Sequence, residues 1–404
     1  MVDAESARPT VASLDPATPV VTGRGWHAPE DRLTNRDIAG RLDEGLLRAW
    51  VAQNRWCMER LEGKAELTRA DLEGVFVSYV EERIGIRARH VVDRTAILEG
   101  RPSQSEVFAS HLGAKACEKA IADAGVEAND IEQIICVTGS PDQVFPTTGN
   151  AIQGLIGAEN ANSYDLLAAC SGFAYGLHTA RGMVASGVHR RVLVVSAEYF
   201  TAMVNYADPN NSFFWGDAGA AVVIERADLS AERGGMALIG SHCISIPSRA
   251  IRTGLGGTIP YLAGASRHRG RADADVDLGA ADDPYFYQDG RKVYRDVVPR
   301  VVAESAAFLE RHGLSADDMK RFWFHQPSQL FLGAVVKRLL KEEIPSSRVA
   351  VSLDEYGNTS SCGAPLCLAQ DDVLQPGEYG LVAVFGAGYT IGLSLLRGVA
   401  PGQG

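Results

Sequence analysis

Alternation of apolar and small or polar residues in PVVTGRGW, from Pro19, predicts a first strand, following a polar stretch over 1–16 that reads as a frayed tail. Between 34 and 82 the period changes. TNRDIAGRLDEGLLRAWVAQNRWCMERL sets Leu42, Leu46, Leu47, Trp50, Val51, Trp56 and Met58 at spacings of three and four behind a Thr-Asn start, which predicts amphipathic helices packed on the body. From 105 onward helical patterns alternate with short apolar runs: SEVFASHLGAKACEKAIADAG, IEQIICVTGS, NAIQGLIG, SYDLLAAC, SGFAYGLHTARGMVASG and RRVLVVSAE. That alternation predicts βαβ units with helices covering the faces of a sheet. Residues 247–290, rich in Gly, Arg and Asp and without period, are expected to be loops crossing the surface.

An internal repeat organises these elements. DIEQIICVTGS from Asp130 and DMKRFWFHQPS from Asp318 share one plan, an acidic start, a strand and a loop ending in Ser, at an offset of 188 residues. The same offset sets Cys170 over Asn358 and brings RRVLVVSAE close to YGLVAVFGA. Two similar halves that need each other to cover a sheet predict one duplicated unit. The N-terminal half is expected over 17–226, with a helical insertion near 36–82, and the C-terminal half over 227–397.

Composition narrows the partners. The 404 residues are 46% hydrophobic and 22% charged, enough apolar material for a large core. A formal net charge of −11 argues against nucleic acid or an anionic membrane surface. Seven cysteines, an odd number without metal-type spacing, predict reduced thiols and no metal site. MVDAESARPTVASLDP has no basic-then-apolar leader and no run reaches membrane length, so a cytoplasmic location is expected.

Taken alone, Cys170 in SYDLLAACSGFAYGL is a small buried side chain, and Asn358 in YGNTS is a turn residue. The repeat joins them. Strand ends related by a pseudo-twofold converge, so Cys170, Asn358 and the loop carrying His325 are expected in one cleft, each just after a strand. A cysteine at the first turn of a helix feels unpaired N–H groups that favour its thiolate, making it a nucleophile. His325 and Asn358 both offer N–H donors, and neither has the acidic partner of a strongly basic imidazole. Aimed at one thioester carbonyl, they would stabilise the enolate left when a malonyl carboxylate departs as CO2, without metal or organic cofactor.

DLLAACSGFAYGL, GDAGAAVVIE, HQPSQLF, YGNTSSCGAP and VFGAGYTIGLSLLR, in this order, resemble β-ketoacyl-acyl-carrier-protein synthase III of the thiolase superfamily over roughly residues 83–397. The resemblance implies an α/β fold of five αβαβα layers, a homodimer, and a triad of Cys170, which accepts the acyl group, with His325 and Asn358 activating the extender. It implies further that Phe145 crosses the dimer to floor the neighbouring pocket, that Phe385 packs beside the nucleophile, and that Ala387 gives the second oxyanion N–H. There FGAGYT departs from the family's triple glycine. Arg83 matches an arginine at the coenzyme A entrance, while the stacking tryptophan four residues earlier is Tyr79. Arg295, Lys337 and Arg338 match positions that dock the acidic acyl carrier protein; another such arginine is replaced by Leu330. Between Asn35 and Arg83 the chain is longer than the housekeeping family, which implies a reshaped entrance tunnel and an unusual second substrate, as in relatives serving specialised metabolism.

The reading of function is therefore an acyltransferase-type ketosynthase. It makes a carbon–carbon bond by decarboxylative Claisen condensation of a Cys-bound acyl group with a malonyl- or β-ketoacyl-thioester, in specialised fatty acid or polyketide metabolism. Acyl groups arrive on coenzyme A or acyl carrier protein. Acyl transfer to a hydroxyl or amine shares the first half-reaction and is the alternative. Cys-His-Asn hydrolysis fits less well, because Cys170 lacks the N-terminal Cys-Gly-Ser-Cys setting of such enzymes. A non-catalytic scaffold would have no use for all three polar groups.

Overall fold

The computed structural model describes residues 14–253 and 286–402. Most of the expected tail and of the 247–290 loops lie outside the described residues. In chain order the strands are β1 (Pro19–His27), β2 (Arg32–Thr34), β3 (Ala88–His90), β4 (Gln133–Val137), β5 (Asn162–Leu166), β6 (Arg191–Glu198), β7 (Ala218–Arg226), β8 (Gly235–Ser245), β9 (Ile251–Thr253), β10 (Phe286–Gln288), β11 (Met319–Phe324), β12 (Tyr379–Gly386) and β13 (Thr390–Val399).

Nine of these form one sheet in the order β11-β12-β13-β8-β1-β7-β6-β4-β5. The order reads as two matching halves about the β8/β1 junction, where only Val20↔Ala237 and Val21↔Met236 pair. On one side β4 runs parallel to β5 and β6, and β7 antiparallel to β6 and β1. On the other, β11 runs parallel to β12, and β13 antiparallel to β12 and β8. A parallel bridge Phe322↔Val349 stands where a partner for β5 would lie.

Side-chain alternation turns each half-sheet into the wall between two helical layers. Ile135, Val137, Val192 and Val194 point inward with Val382 and Val384, against Phe173, Leu177, Ala364 and Leu368 of the central helices Gly172–Ala185 and Gly363–Gln370. Their neighbours Ile134, Cys136, Leu193 and Val195 point outward onto the helix Ala109–Ala124. Leu381, Ala383 and Phe385 likewise meet the helices Gly290–Arg311 and Gln329–Leu339. Helix, sheet, helix, sheet, helix is the five-layered α/β thiolase-like arrangement expected. The central helix reaches the sheet because of Gly172, where a Cβ would lie 2.2 Å from Val137 Cγ1.

The helical stretch near 36–82 consists of Asn35–Arg41, Glu44–Gln53, Arg55–Arg60 and Arg69–Tyr79. Capping boxes Thr34/Asp37 and Thr68/Asp71 start the first and last of them. Leu42, Leu47, Trp50 and Val51 are buried in one cluster with Phe200, Tyr206, Phe213 and Trp215 of the body, while Leu46 and Met58 stay exposed. Burying side chains of this size stabilises the docked stretch by about 1.5–3 kcal/mol each.

The repeat needs one correction. The 188-residue offset holds between the one-turn helices Ala128–Asp130 and Ala316–Asp318 and between β6 and β12. At the turn ahead of the central helices, the matching pieces are Ala169–Ser171 and Ser360–Cys362, each opening on a left-handed residue, Ala169 (φ 47°) and Ser360 (φ 53°), 191 positions apart. Cys170 therefore corresponds to Ser361 and not to Asn358, which sits in the longer loop before the second turn. Loops absorb such insertions, whereas a one-residue slip in a strand would exchange its two faces.

Candidate active site

Cys170 lies in the 3-10 turn Ala169–Ser171, ahead of the helix Gly172–Ala185, and is partly exposed. Ser171 ties the turn down: its Oγ lies 2.7 Å from both Ala168 O and Thr390 Oγ1, and Thr390 in turn donates to Ala387 O at 2.8 Å. The last residue of β12 presses on the same turn, since a Cβ on Gly386 would lie 2.9 Å from Cys170 N and 3.0 Å from Ser171 N. Ala387 follows directly, half-buried, in the hairpin to β13.

His325 follows β11 and is buried, its N–H donating to Ala383 O of β12 at 3.2 Å. Phe385 stands edge-on to the imidazole at 4.9 Å and stacks on Phe331 at 4.4 Å. Burial holds the ring neutral, its pKa down to about 3, and Nδ1 has no protein partner. Asn358 is locked through its backbone, N–H to Phe214 O at 2.7 Å and carbonyl to Gly216 N–H at 3.1 Å. Its side-chain oxygen accepts from Ser360 N–H at 3.0 Å, which fixes the amide orientation and turns Nδ2 away from that bond. Ser360 Oγ then meets Cys170 Sγ at 3.7 Å. The three expected residues are thus linked: Cys170 to Asn358 through Ser360, and Cys170 to His325 through Gly386 and Phe385.

The thiol differs from expectation. Desolvation pushes Cys170 up to about 12, with the Glu198 carboxylate adding to the rise and Ser360 opposing it. A helix N-terminus favours thiolate, but among the described residues nothing offers a cation to the sulfur, and burial beside the Glu198 carboxylate keeps Cys170 a thiol.

Glu198 and Ser360 are the site residues that sequence reading missed. Glu198 ends β6, fully buried, and accepts from Gly139 N at 3.0 Å, Ser140 Oγ at 2.6 Å, Ser361 Oγ at 2.6 Å and Ser361 N at 3.3 Å. A carboxylate closing the otherwise apolar run RVLVVSAE was the available signal.

The remaining predicted residues lie around this centre. Tyr79 is wedged among Trp50, Trp56 and Phe213 at ring distances of 5.1, 5.6 and 6.4 Å. Arg83 is exposed on the turn Val80–Ile84, which closes at Gly85 against Gln329. Arg295 and Lys337 are exposed and paired with Asp296 (3.4 Å) and Glu343 (2.7 Å); Arg338 is exposed beside Lys337. Phe145 stands 81% exposed next to the exposed Val144.

Family models match two stretches of the chain: 3-oxoacyl-[acyl-carrier-protein (ACP)] synthase III over residues 164–245, and its C-terminal counterpart over 309–398. The chain is 34% identical over 340 residues to the β-ketoacyl-[acyl-carrier-protein] synthase III of Roseiflexus sp. (strain RS-1), covering 83% of this chain and 94% of that protein. It belongs to the synthase III family. The β-ketodecanoyl-[acyl-carrier-protein] synthase of Pseudomonas aeruginosa is 30% identical over 345 residues, 82% of this chain and 94% of that one. The crystal structure of the Aquifex aeolicus VF5 synthase III superposes with a TM-score of 0.70 at 21% identity, covering 94% of this chain and 99% of that one. Membership of the synthase III family makes the chain a ketosynthase, a transferase that joins carbon chains by Claisen condensation, and sets aside the hydrolase and the scaffold. Among the described residues no helix is long and apolar enough to cross a membrane.

Proposed function

We propose that this synthase III-family enzyme carries its acyl group on Cys170 and condenses it with a malonyl- or β-ketoacyl-thioester activated by His325 and Asn358. The observation that carries this reading is the linkage of the Cys170 turn to Asn358 through Ser360 and to His325 through Phe385 and Gly386.

In the first half-reaction the Cys170 sulfur attacks the acyl thioester, and the carrier thiol leaves. In the second, the extender's carboxylate departs as CO2. The electron pair left behind forms an enolate whose oxygen takes N–H donors from the neutral His325 ring and Asn358 Nδ2. The enolate carbon attacks the Cys170 thioester carbonyl, whose oxyanion is received by the Cys170 and Ala387 N–H groups, and collapse expels the Cys170 sulfur. No metal or organic cofactor enters these steps.

Delivery of the extender by acyl carrier protein fits the surroundings better than by coenzyme A, while the acyl group arrives on either. Tyr79 is occupied by Trp50 and Trp56, and Arg295, Lys337 and Arg338 offer cations to an acidic carrier. We read the enzyme as a cytoplasmic homodimer of chains divided near 226/227, with Phe145 completing the partner's pocket, because an aromatic so exposed in a single chain is costly unless covered. The helical stretch near 36–82 capping the entrance favours specialised fatty acid or polyketide metabolism.

Intact mass spectrometry with a panel of acyl thioesters, followed by product mass after malonyl-carrier is added, tests the reading. Cys170→Ala should abolish the acyl adduct and all product. An adduct mapped to Cys136 or Cys362 refutes it, and an ester or amide product in place of a β-keto thioester establishes the acyl-transfer alternative.

A further inference from the structure

A thiol held up to about 12 must lose a proton before it can attack, and a neutral His325 is a poor base. The groups that face the sulfur suggest where the proton goes. Ser360, itself buried, meets Cys170 Sγ at 3.7 Å, and its hydroxyl is near enough to Glu198 to favour the ionised carboxylate. The adjacent Ser361 gives both its N–H and its hydroxyl to the same carboxylate. Ser360 holds a left-handed conformation, uncommon for a residue with a side chain, in the same turn that sets Ser361 on Glu198 and brings the Ser360 hydroxyl to the sulfur.

We propose, resting on Cys170 as the acylated residue, that Ser360 and Glu198 form a proton relay for that thiol. The Cys170 proton passes to Ser360 Oγ as the Ser360 hydroxyl proton passes to a Glu198 oxygen. The thiolate so formed attacks the acyl thioester carbonyl, and the carbon–sulfur bond to the carrier breaks. The departing thiolate takes the proton back through Ser360, leaving a free carrier thiol and an ionised Glu198. Charge balance favours this route. Losing the thiol proton to solvent would leave two anions in one buried site, whereas passing it to Glu198 keeps one and moves it to the atom that needs it. Glu198 suits the task because its hydrogen-bond partners are all uncharged and burial raises its proton affinity.

Besides Cys170, the titratable groups facing Glu198 among the described residues are Cys136 on β4, Asp217 before β7 and Cys362 at the end of the Ser360 turn, all of them acids. Asp217 is pushed up to about 7, mainly by burial and in small part by the Glu198 charge, so Glu198→Gln moves its titration too, and Ser360→Ala, which leaves both carboxyls in place, is the control that separates the relay from Asp217.

The test is the rate of Cys170 acylation from acetyl-, butyryl- and octanoyl-coenzyme A, followed by intact mass across neutral pH in wild type, Glu198→Gln, Glu198→Asp and Ser360→Ala, with thermal unfolding to check the fold. A relay predicts that Glu198→Gln and Ser360→Ala each slow acylation about 10- to 100-fold, within the reach of general-base catalysis, and that Glu198→Asp recovers part of the loss. It also predicts that the wild-type rate falls as pH drops through the raised Glu198 pKa. In Glu198→Gln that step is replaced by a steady rise with hydroxide. If Glu198 only repels the thiolate, Glu198→Gln acylates as fast or faster, which overturns the proposal. So does a folded Ser360→Ala that acylates at the wild-type rate. An adduct found elsewhere than Cys170 in the wild type instead overturns the assignment of the nucleophile.

Discussion

The turn Ala169–Ser171 and its counterpart Ser360–Cys362 share a left-handed first residue, a 3-10 twist and a buried helix behind them, yet different groups face their N–H donors. Opposite Cys170 stands Gly386, the last residue of β12. Opposite Ser361 stands Glu198, the last residue of β6 and 188 positions before Gly386, with its carboxylate 3.3 Å from the Ser361 N–H. Duplication therefore yields two turns shaped to receive an anion. One is kept free of a side chain by glycine, and the other is filled by the protein's own carboxylate. Filling one of them also delivers a buried acid to the back of the reactive thiol, so the silent half supplies chemistry that the active half lacks.

Making the two turns alike should have the largest effect. In Gly386→Ala the new Cβ would stand 2.9 Å from Cys170 N and 3.0 Å from Ser171 N, against backbone on both sides. Blocking the N–H donors is expected to cut condensation on the order of 1000-fold, the upper range for losing an oxyanion donor. Product formation by mass spectrometry checks this, with circular dichroism to confirm the fold. A variant that is folded and fully active would show that the open turn is not the oxyanion site.

A smaller loss is expected from the donors that serve the extender. His325→Ala and Asn358→Ala should still take an acyl group on Cys170 while losing decarboxylation on the order of 100-fold. Since burial lowers the His325 pKa to about 3, the folded enzyme prefers the neutral ring and protonates it only in strong acid. Decarboxylation by the preloaded acyl-enzyme should therefore show no step near the ordinary imidazole value of about 6.5. Equal loss of both half-reactions, or a clear step at that pH, would give the histidine a different role.

What the sequence conveyed follows the same division. The strands were legible because a half-sheet buried on both faces must be an apolar run, as in RVLVVSAE and GLVAVFGA, and because strand register tolerates no slip. The central helix after Cys170 follows from that, whereas the five layers rest on the family resemblance, and Cys170, His325 and Asn358 are linked although the offset that paired Cys170 with Asn358 does not hold. The pairing of Cys170 with Ser361 was hidden because three residues were added in a loop and a net three removed across the shorter helix Gly363–Gln370 and the longer loop after it, so a single offset could not hold throughout. Ser360 was hidden because its place beside Cys170 depends on the turned backbone within NTSSC, which no side-chain pattern reports. That Tyr79, at the family's stacking position, is enclosed by aromatic rings was hidden because Trp50 and Trp56 come from helices more than twenty positions away, and only tertiary packing brings them together.

The finest distinction between the two turns lies in their serine hydroxyls. Ser171 Oγ bonds neutral oxygens, Ala168 O and Thr390 Oγ1, so Ser171→Ala should cost about 1 kcal/mol of stability. Ser361 Oγ bonds Glu198 at 2.6 Å, and a hydrogen bond to an ionised group is worth more, so Ser361→Ala should cost about 1.5–3 kcal/mol. Urea unfolding of both variants beside the wild type, with unchanged slopes, measures the gap. The gap should depend on pH with a definite sign. Because burial raises the Glu198 pKa, lowering the pH protonates the carboxyl early, the Ser361 bond becomes an ordinary neutral one, and the two costs converge. A gap that stays constant from neutral to acidic pH would mean Glu198 is already protonated at rest. The counterpart turn would then be capped by a neutral acid, unable to take up the Cys170 proton.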